Sequence, residues 1–163
     1  MRSGSWLFVV SAGLFIGAIA FLVAGERNAR RLPAAASARP ALAPVASVKQ
    51  IMNAIVMPNA TVVYDSVGSS STAAGIVEIA PDTDEEWMAV ADSAAALVEA
   101  GNLMLMGDRA VDNGDWVAMT RKFMDAAQGS LKAASEKKSD GIFESGGDLA
   151  MSCDTCHERY QRR

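Results

Sequence analysis

Four stretches of this chain repeat their apolar residues at helical spacing, and no segment alternates strongly at period two. Ser47 can cap a first helix whose apolar positions Val48, Ile51, Met52, Ile55 and Val56 follow the i, i+3, i+4, i+7, i+8 pattern of one buried face. Pro58 ends or kinks it, and Asn59 to Tyr64 continue beyond the kink toward Gly68. Gly68 to Gly75 reads as flexible loop by composition, closed by Pro81. The short alternation from Gly75 to Ala80 is too brief to make a sheet. Thr83 and Glu86 form a capping box opening a second helix through Trp87, Val90, Ala91, Ala94, Leu97, Val98, Gly101 and Leu105, ending near Gly107. The acidic run Asp82, Asp84, Glu85 and Glu86 suits the positive end of that helix.

After a turn over Asp108 to Gly114, Asp115 is expected to cap a third helix through Trp116, Met119, Phe123, Ala126, Ala127, Ser130, Leu131 and Ala134. Lys132, Lys137 and Lys138 lie toward its negative end. Ser139 or Asp140 starts a fourth helix through Phe143, Leu149, Cys153, Cys156 and His157. Gly146 and Gly147 in its middle would permit close approach of a neighbour or a macrocycle. Four such helices with mostly short connections predict an all-α fold, an antiparallel four-helix bundle over residues 47–163.

Two segments precede that domain. Between Arg2 and Glu26 there is no charge, and the apolar run of residues 6–25 has about 20 residues, which at ~1.5 Å each cover the roughly 30 Å of a bilayer core. Residues 1–31 therefore read as a signal peptide or a membrane anchor. Small residues at Val23-Ala24-Gly25 and Ala36-Ser37-Ala38 offer cleavage sites. Arg27, Arg30 and Arg31 oppose export under the positive-inside rule, while the cysteine chemistry below favours it. Gly13 and Gly17 form a G-x-x-x-G pair, read here as coincidence in a small-residue segment. Residues 32–46 carry three prolines and many alanines and read as an extended tether. After Ala46 there are 10 Lys and Arg against 18 Asp and Glu, a formal charge of −8. That acidity excludes nucleic acid as an expected partner and suits a redox protein with a basic docking surface.

The only two cysteines and the only histidine of the 163 residues stand together as Cys153-Asp154-Thr155-Cys156-His157. C-x-x-C-H is the arrangement that attaches c-type haem, with two thiols alkylated by the vinyl groups and the imidazole on iron. A structural zinc site needs a second ligand pair, which the chain lacks. A thioredoxin-like C-x-x-C sits near a helix start in a strand-helix-strand unit, whereas this one ends a helical stretch. A plain disulfide is the remaining rival. Haem attachment requires an oxidising compartment outside the cytoplasm, so the domain is expected in the periplasm, free or tethered to the inner membrane.

With the motif on the last helix of a bundle of this size, and the aromatic Tyr160 three places after His157, residues 47–163 resemble the cytochrome c prime family. The resemblance implies one covalent haem c on Cys153 and Cys156, His157 as the proximal iron ligand, and a first-helix residue facing the open side of the iron. That residue is methionine in low-spin relatives and a blocking apolar residue in five-coordinate ones. It also implies homodimerisation through the first two helices. The chain departs from the family in its long connection after the first helix, in Gln161 where a basic residue often stands, and in its hydrophobic segment. Arg159, Arg162 and Arg163 are the available substitutes for that basic residue.

One histidine rules out bis-histidine ligation within a subunit, so the sixth position is methionine, empty or unusual. Met151 shares a helix with His157, and Met88, Met104, Met106, Met119 and Met124 lie on the second and third helices. Of Met52 and Met57 on the first, Met52 belongs to the apolar face and falls where the family's distal residue would lie. Methionine on such a face is also ordinary core packing. Two functions follow: one-electron transfer through a haem held by His157 and Met52, or a five-coordinate haem protein that binds or senses NO or CO. A haem-free helical interaction module is a third. No second histidine, selected carboxylate pair or phosphate loop supports an enzyme.

Overall fold

The computed structural model describes residues 43–161. Helix α1 has three segments: α-helical Val48–Ile51, π-helical Met52–Val56 and α-helical Met57–Asp65. Strands β1 (Gly68–Thr72) and β2 (Gly75–Ile79) follow, then α2 (Asp84–Met104), a 3-10 turn at Gly107–Arg109, α3 (Asp115–Ser135) and α4 (Ser139–Tyr160). The apolar run of residues 6–25, most of the tether, Arg162 and Arg163 lie outside the described residues. Among the described residues no helix is long and apolar enough to cross a membrane.

Local chemistry accounts for the helix ends. Ser47 and Gln50 form a reciprocal capping box at α1, and Thr83 and Glu86 do the same at α2. Pro58 neither ends nor breaks α1. It lacks the N–H that would meet the Ala54 carbonyl, and its ring would crowd that carbonyl in a regular α-turn. The turn before it widens instead, so that the Met57 N–H reaches back five residues to the Met52 carbonyl. Asp115 does not cap α3, contrary to the sequence expectation. Gly114 is the N-cap, and Asp112 serves the free amides, accepting from Gly114 N at 2.8 Å and Trp116 N at 3.0 Å. The chain between α3 and α4 reverses through Lys137 at φ 53°, and Lys138 precedes the first residue of α4.

The expected Gly/Ser loop is a β-hairpin, so the fold is mainly helical rather than all-α. Its strands pair antiparallel from Gly68↔Ile79 to Thr72↔Gly75. Gly75 supplies the φ of 127° at the turn, and the Thr72 hydroxyl accepts from Ala74 N and donates to the Gly75 carbonyl. Serine-rich composition hid this strand, because β1 contributes no apolar alternation.

Consecutive helices run antiparallel. The indole N–H of Trp116 at the start of α3 donates to the Met104 carbonyl at the end of α2, 3.2 Å away. At the opposite ends Lys137 meets Asp84 at 2.6 Å. Near the α1 start, Arg109 donates from Nε to the Ala46 carbonyl and from Nη1 to the Leu103 carbonyl. The core comprises Ile51, Val56 and Val63 of α1, Leu97 and Ala94 of α2, Phe123 and Ala127 of α3, and Ile142 and Leu149 of α4. Phe143, expected on the buried face of α4, is 70% exposed, and its neighbour Ile142 takes the core position. The glycines that permit close packing are also others than expected. A Cβ on Gly101 would lie 2.2 Å from Met124 Cγ, and one on Gly141 would lie 2.9 Å from Ala133 Cβ, whereas Gly147 faces open space and Gly146 only touches the Tyr64 ring.

Candidate haem-binding site

One cavity of about 760 Å³ lies among α1, the start of α3 and the last turns of α4. Its volume is in the range of small-molecule and cofactor sites. Cys153, Cys156 and His157 line it from α4, and Met52 lines it from α1, so the four candidate residues share one chamber. Both cysteines are half-buried and free, and His157 is exposed. The helix brings the three together: Cys153 and Cys156 are one turn apart, and His157 follows by one residue.

The π-turn in α1 sets the facing wall. Val48, Met52, Val56, Ala60 and Tyr64 line the cavity at steps of four residues. In an unbroken α-helix each such step advances about 40°, carrying Tyr64 about 160° round from Val48. The extra residue in the widened turn takes back about 100°, which keeps the row on one face. Sequence periodicity assigned Met52 to the apolar face but did not reveal this row. The strict spacing of four on both sides of Pro58 was the available signal.

Other lining groups went unnoticed in the sequence. Phe123, Thr120, Trp116 and Met119 of α3 and Met104 of α2 form the inner wall, so two further thioethers besides Met52 face the chamber. Met57 borders it but is largely exposed, and Met151 is exposed and lines a different groove between α3 and α4. The Trp116 and Tyr160 rings meet edge to face, with centroids 5.1 Å apart. Tyr160 donates its hydroxyl proton to Asp112 Oδ2 at 2.5 Å, tying the last turn of α4 to the cap of α3. That bond, followed by the Trp116 and Gly114 amides, holds the Asp112 carboxyl below its ordinary range, and the same bond raises Tyr160. Arg159 pairs with Asp115 at 3.3 Å and lies over the Tyr160 ring, on the exposed side.

Burial is the main cause of the thiol shifts. It raises both Cys153 and Cys156 above the ordinary value, with the neighbouring Cys153 adding to the effect at Cys156. Redox-active C-x-x-C pairs show the opposite shift, toward the thiolate. Tyr64 is pushed up to about 12, first by burial and then by Cys153, to which its hydroxyl donates a hydrogen bond. The donor set suits haem c: two neutral thiols for thioether formation, an imidazole beside them, a thioether across the chamber, and an apolar wall of Val48, Val56, Ala60, Trp116 and Phe123.

No family model, curated protein or solved structure matches the chain.

Proposed function

We propose that this protein is a c-type cytochrome of the four-helix-bundle kind, working outside the cytoplasm in one-electron transfer. Haem c is carried on Cys153 and Cys156, with His157 as the proximal and Met52 as the distal iron ligand. The observation that carries the reading is that Met52, from a different helix, lines the same chamber as all three residues of the C-x-x-C-H motif. When bound, haem supplies a reversible one-electron couple whose potential is raised by thioether ligation and apolar surroundings. The chain's part is to hold ligands and exclude water. Trp116, Phe123 and Val56 are buried and form the dry wall, while the Tyr160–Asp112 bond fixes the turn that carries His157. Tyr64 packs beside Cys153 and orients that side of the attachment.

The test is the optical spectrum of the dithionite-reduced protein with and without CO. Narrow low-spin bands unmoved by CO are expected, and Met52→Leu should convert them to a high-spin form that binds CO, with Met104→Leu and Met119→Leu leaving them unchanged. A wild-type spectrum that is already high-spin and shifts with CO would make gas binding the function. Intact mass lacking a haem-sized addition after expression with the maturation machinery would remove the cofactor altogether.

A further inference from the structure

The hairpin is the one element that the rest of the described chain leaves uncovered. Apart from Gly68, every residue of both strands is exposed, including the apolar Ile76, Val77 and Ile79. Two strands alone are marginally stable in water, and an edge with unpaired N–H and C=O groups accepts a further strand. Natural edges are usually guarded by lysine, proline or a bulge. β1 reads Gly-Ser-Ser-Ser-Thr and has none of these guards.

Charge identifies what the edge accepts. From residue 50 to residue 108 the chain has no lysine or arginine, yet it carries Asp65, Glu78, Asp82, Asp84, Glu85, Glu86, Asp92, Glu99 and Asp108. Asp65 and Asp82 flank the hairpin, Glu78 stands on β2, and Asp84 and Glu85 open the helix that follows. A second copy would bring the same carboxylates against one another, so charge disfavours self-pairing. We infer that the hairpin and the acidic start of α2 form a docking surface for an exposed basic strand of another protein, which adds to the sheet edge and sets apolar side chains on Ile76, Val77 and Ile79. The hairpin leads into the α2 end that Lys137 touches, whereas the cavity lies toward the end where Met104 meets Trp116. A partner held there leaves the exposed His157 side of the molecule free. The inference does not depend on the haem.

The full-length matured protein, isotope-labelled, is titrated with a synthetic peptide of alternating valine and lysine. Amide shifts confined to residues 65–86, with slowed hydrogen exchange along one hairpin edge, are expected. The double variant Glu78→Lys/Asp82→Lys should bind at least about tenfold more weakly at low salt, and Ile76→Ser/Val77→Ser should also weaken binding. These positions are exposed, so the variants should keep the wild-type helical circular dichroism. Shifts spread over α3 and α4, equal binding of a valine and glutamate peptide, or concentration-dependent pairing of the protein through its own hairpin would each overturn the inference.

Discussion

The two ends of α3 and α4 face one another in different ways. Toward the start of α4 the seam is closed by small residues: Gly141 lies against Ala133, Gly129 against Ser145, and Ser145 bonds Ser130 at 2.9 Å. Ser145 donates its own proton to the Gly141 carbonyl, so the buried hydroxyl pair is satisfied within the seam. Toward the end of α4 the helices open around the cavity, and the walls carry Trp116, Phe123 and Met119 in place of glycine and serine. Side-chain size thus decides which half of the bundle is a core and which half is a container. The closed half bears the stability, and the open half bears the chemistry.

The largest expected effect tests that division. Leu97 is fully buried in α2, away from the cavity, and Leu97→Ala should cost about 3–4 kcal/mol in urea unfolding because the sealed core cannot refill the void. Val56→Ala on the cavity wall enlarges a space that already exists. It should cost only about 1–2 kcal/mol, roughly the transfer term alone. Equal losses at the two sites would show that the cavity half is packed as tightly as the rest.

Glycines sharpen the contrast at smaller magnitude. Gly101→Ala forces a methyl into Met124 and should destabilise by about 1–3 kcal/mol, even though alanine is the better helix former. Gly147→Ala meets nothing within 4 Å and should instead stabilise by about 0.4–1 kcal/mol through the unfolded chain. Thermal unfolding of the two variants should therefore move in opposite directions.

Much of this arrangement was legible in the sequence. The capping boxes at Ser47 and Thr83 and the face of Ile51, Val56, Leu97 and Leu149 are local or periodic signals, and the structure has them where the sequence predicts them. Cys153, Cys156 and His157 were marked by scarcity, since nothing else in the chain could take their place. The hairpin was missed because Gly-Ser-Ser-Ser-Thr has turn composition, and its pairing is fixed by Gly75 and the Thr72 hydroxyl rather than by apolar alternation. Phe143 was misplaced because hydrophobicity alone did not separate it from Ile142 one residue earlier. Asp112 and Tyr160 could not be paired from sequence, because 48 residues separate them and only the antiparallel return of α4 brings them together.

That long-range pair gives the smallest and most local prediction, and it separates the two ends of α2. Glu86 is held below the ordinary carboxylate range first by the Asp82 amide, then by that of Thr83, contacts confined to the start of α2. Asp112 is held down first by Tyr160, a residue of the cavity wall. A carboxyl whose folded pKa is depressed contributes stability above its unfolded value, near ~3.9 for Asp, and loses that contribution as pH falls through the lower folded value. Tyr160 is raised, so its contribution is present below the unfolded value of about 10 and is lost as pH rises through the higher folded one. The Asp112–Tyr160 bond should therefore hold from about pH 4 to about pH 10. Acid below that window should release Tyr160 and change the Trp116 and Tyr160 ring signals in NMR or near-ultraviolet circular dichroism, while loss of the Glu86 cap frays only the first turn of α2. In Asp112→Asn the acid step in the ring signals should vanish, because no proton is then taken up at that position. Persistence of the same step would mean that another group governs the mouth of the cavity.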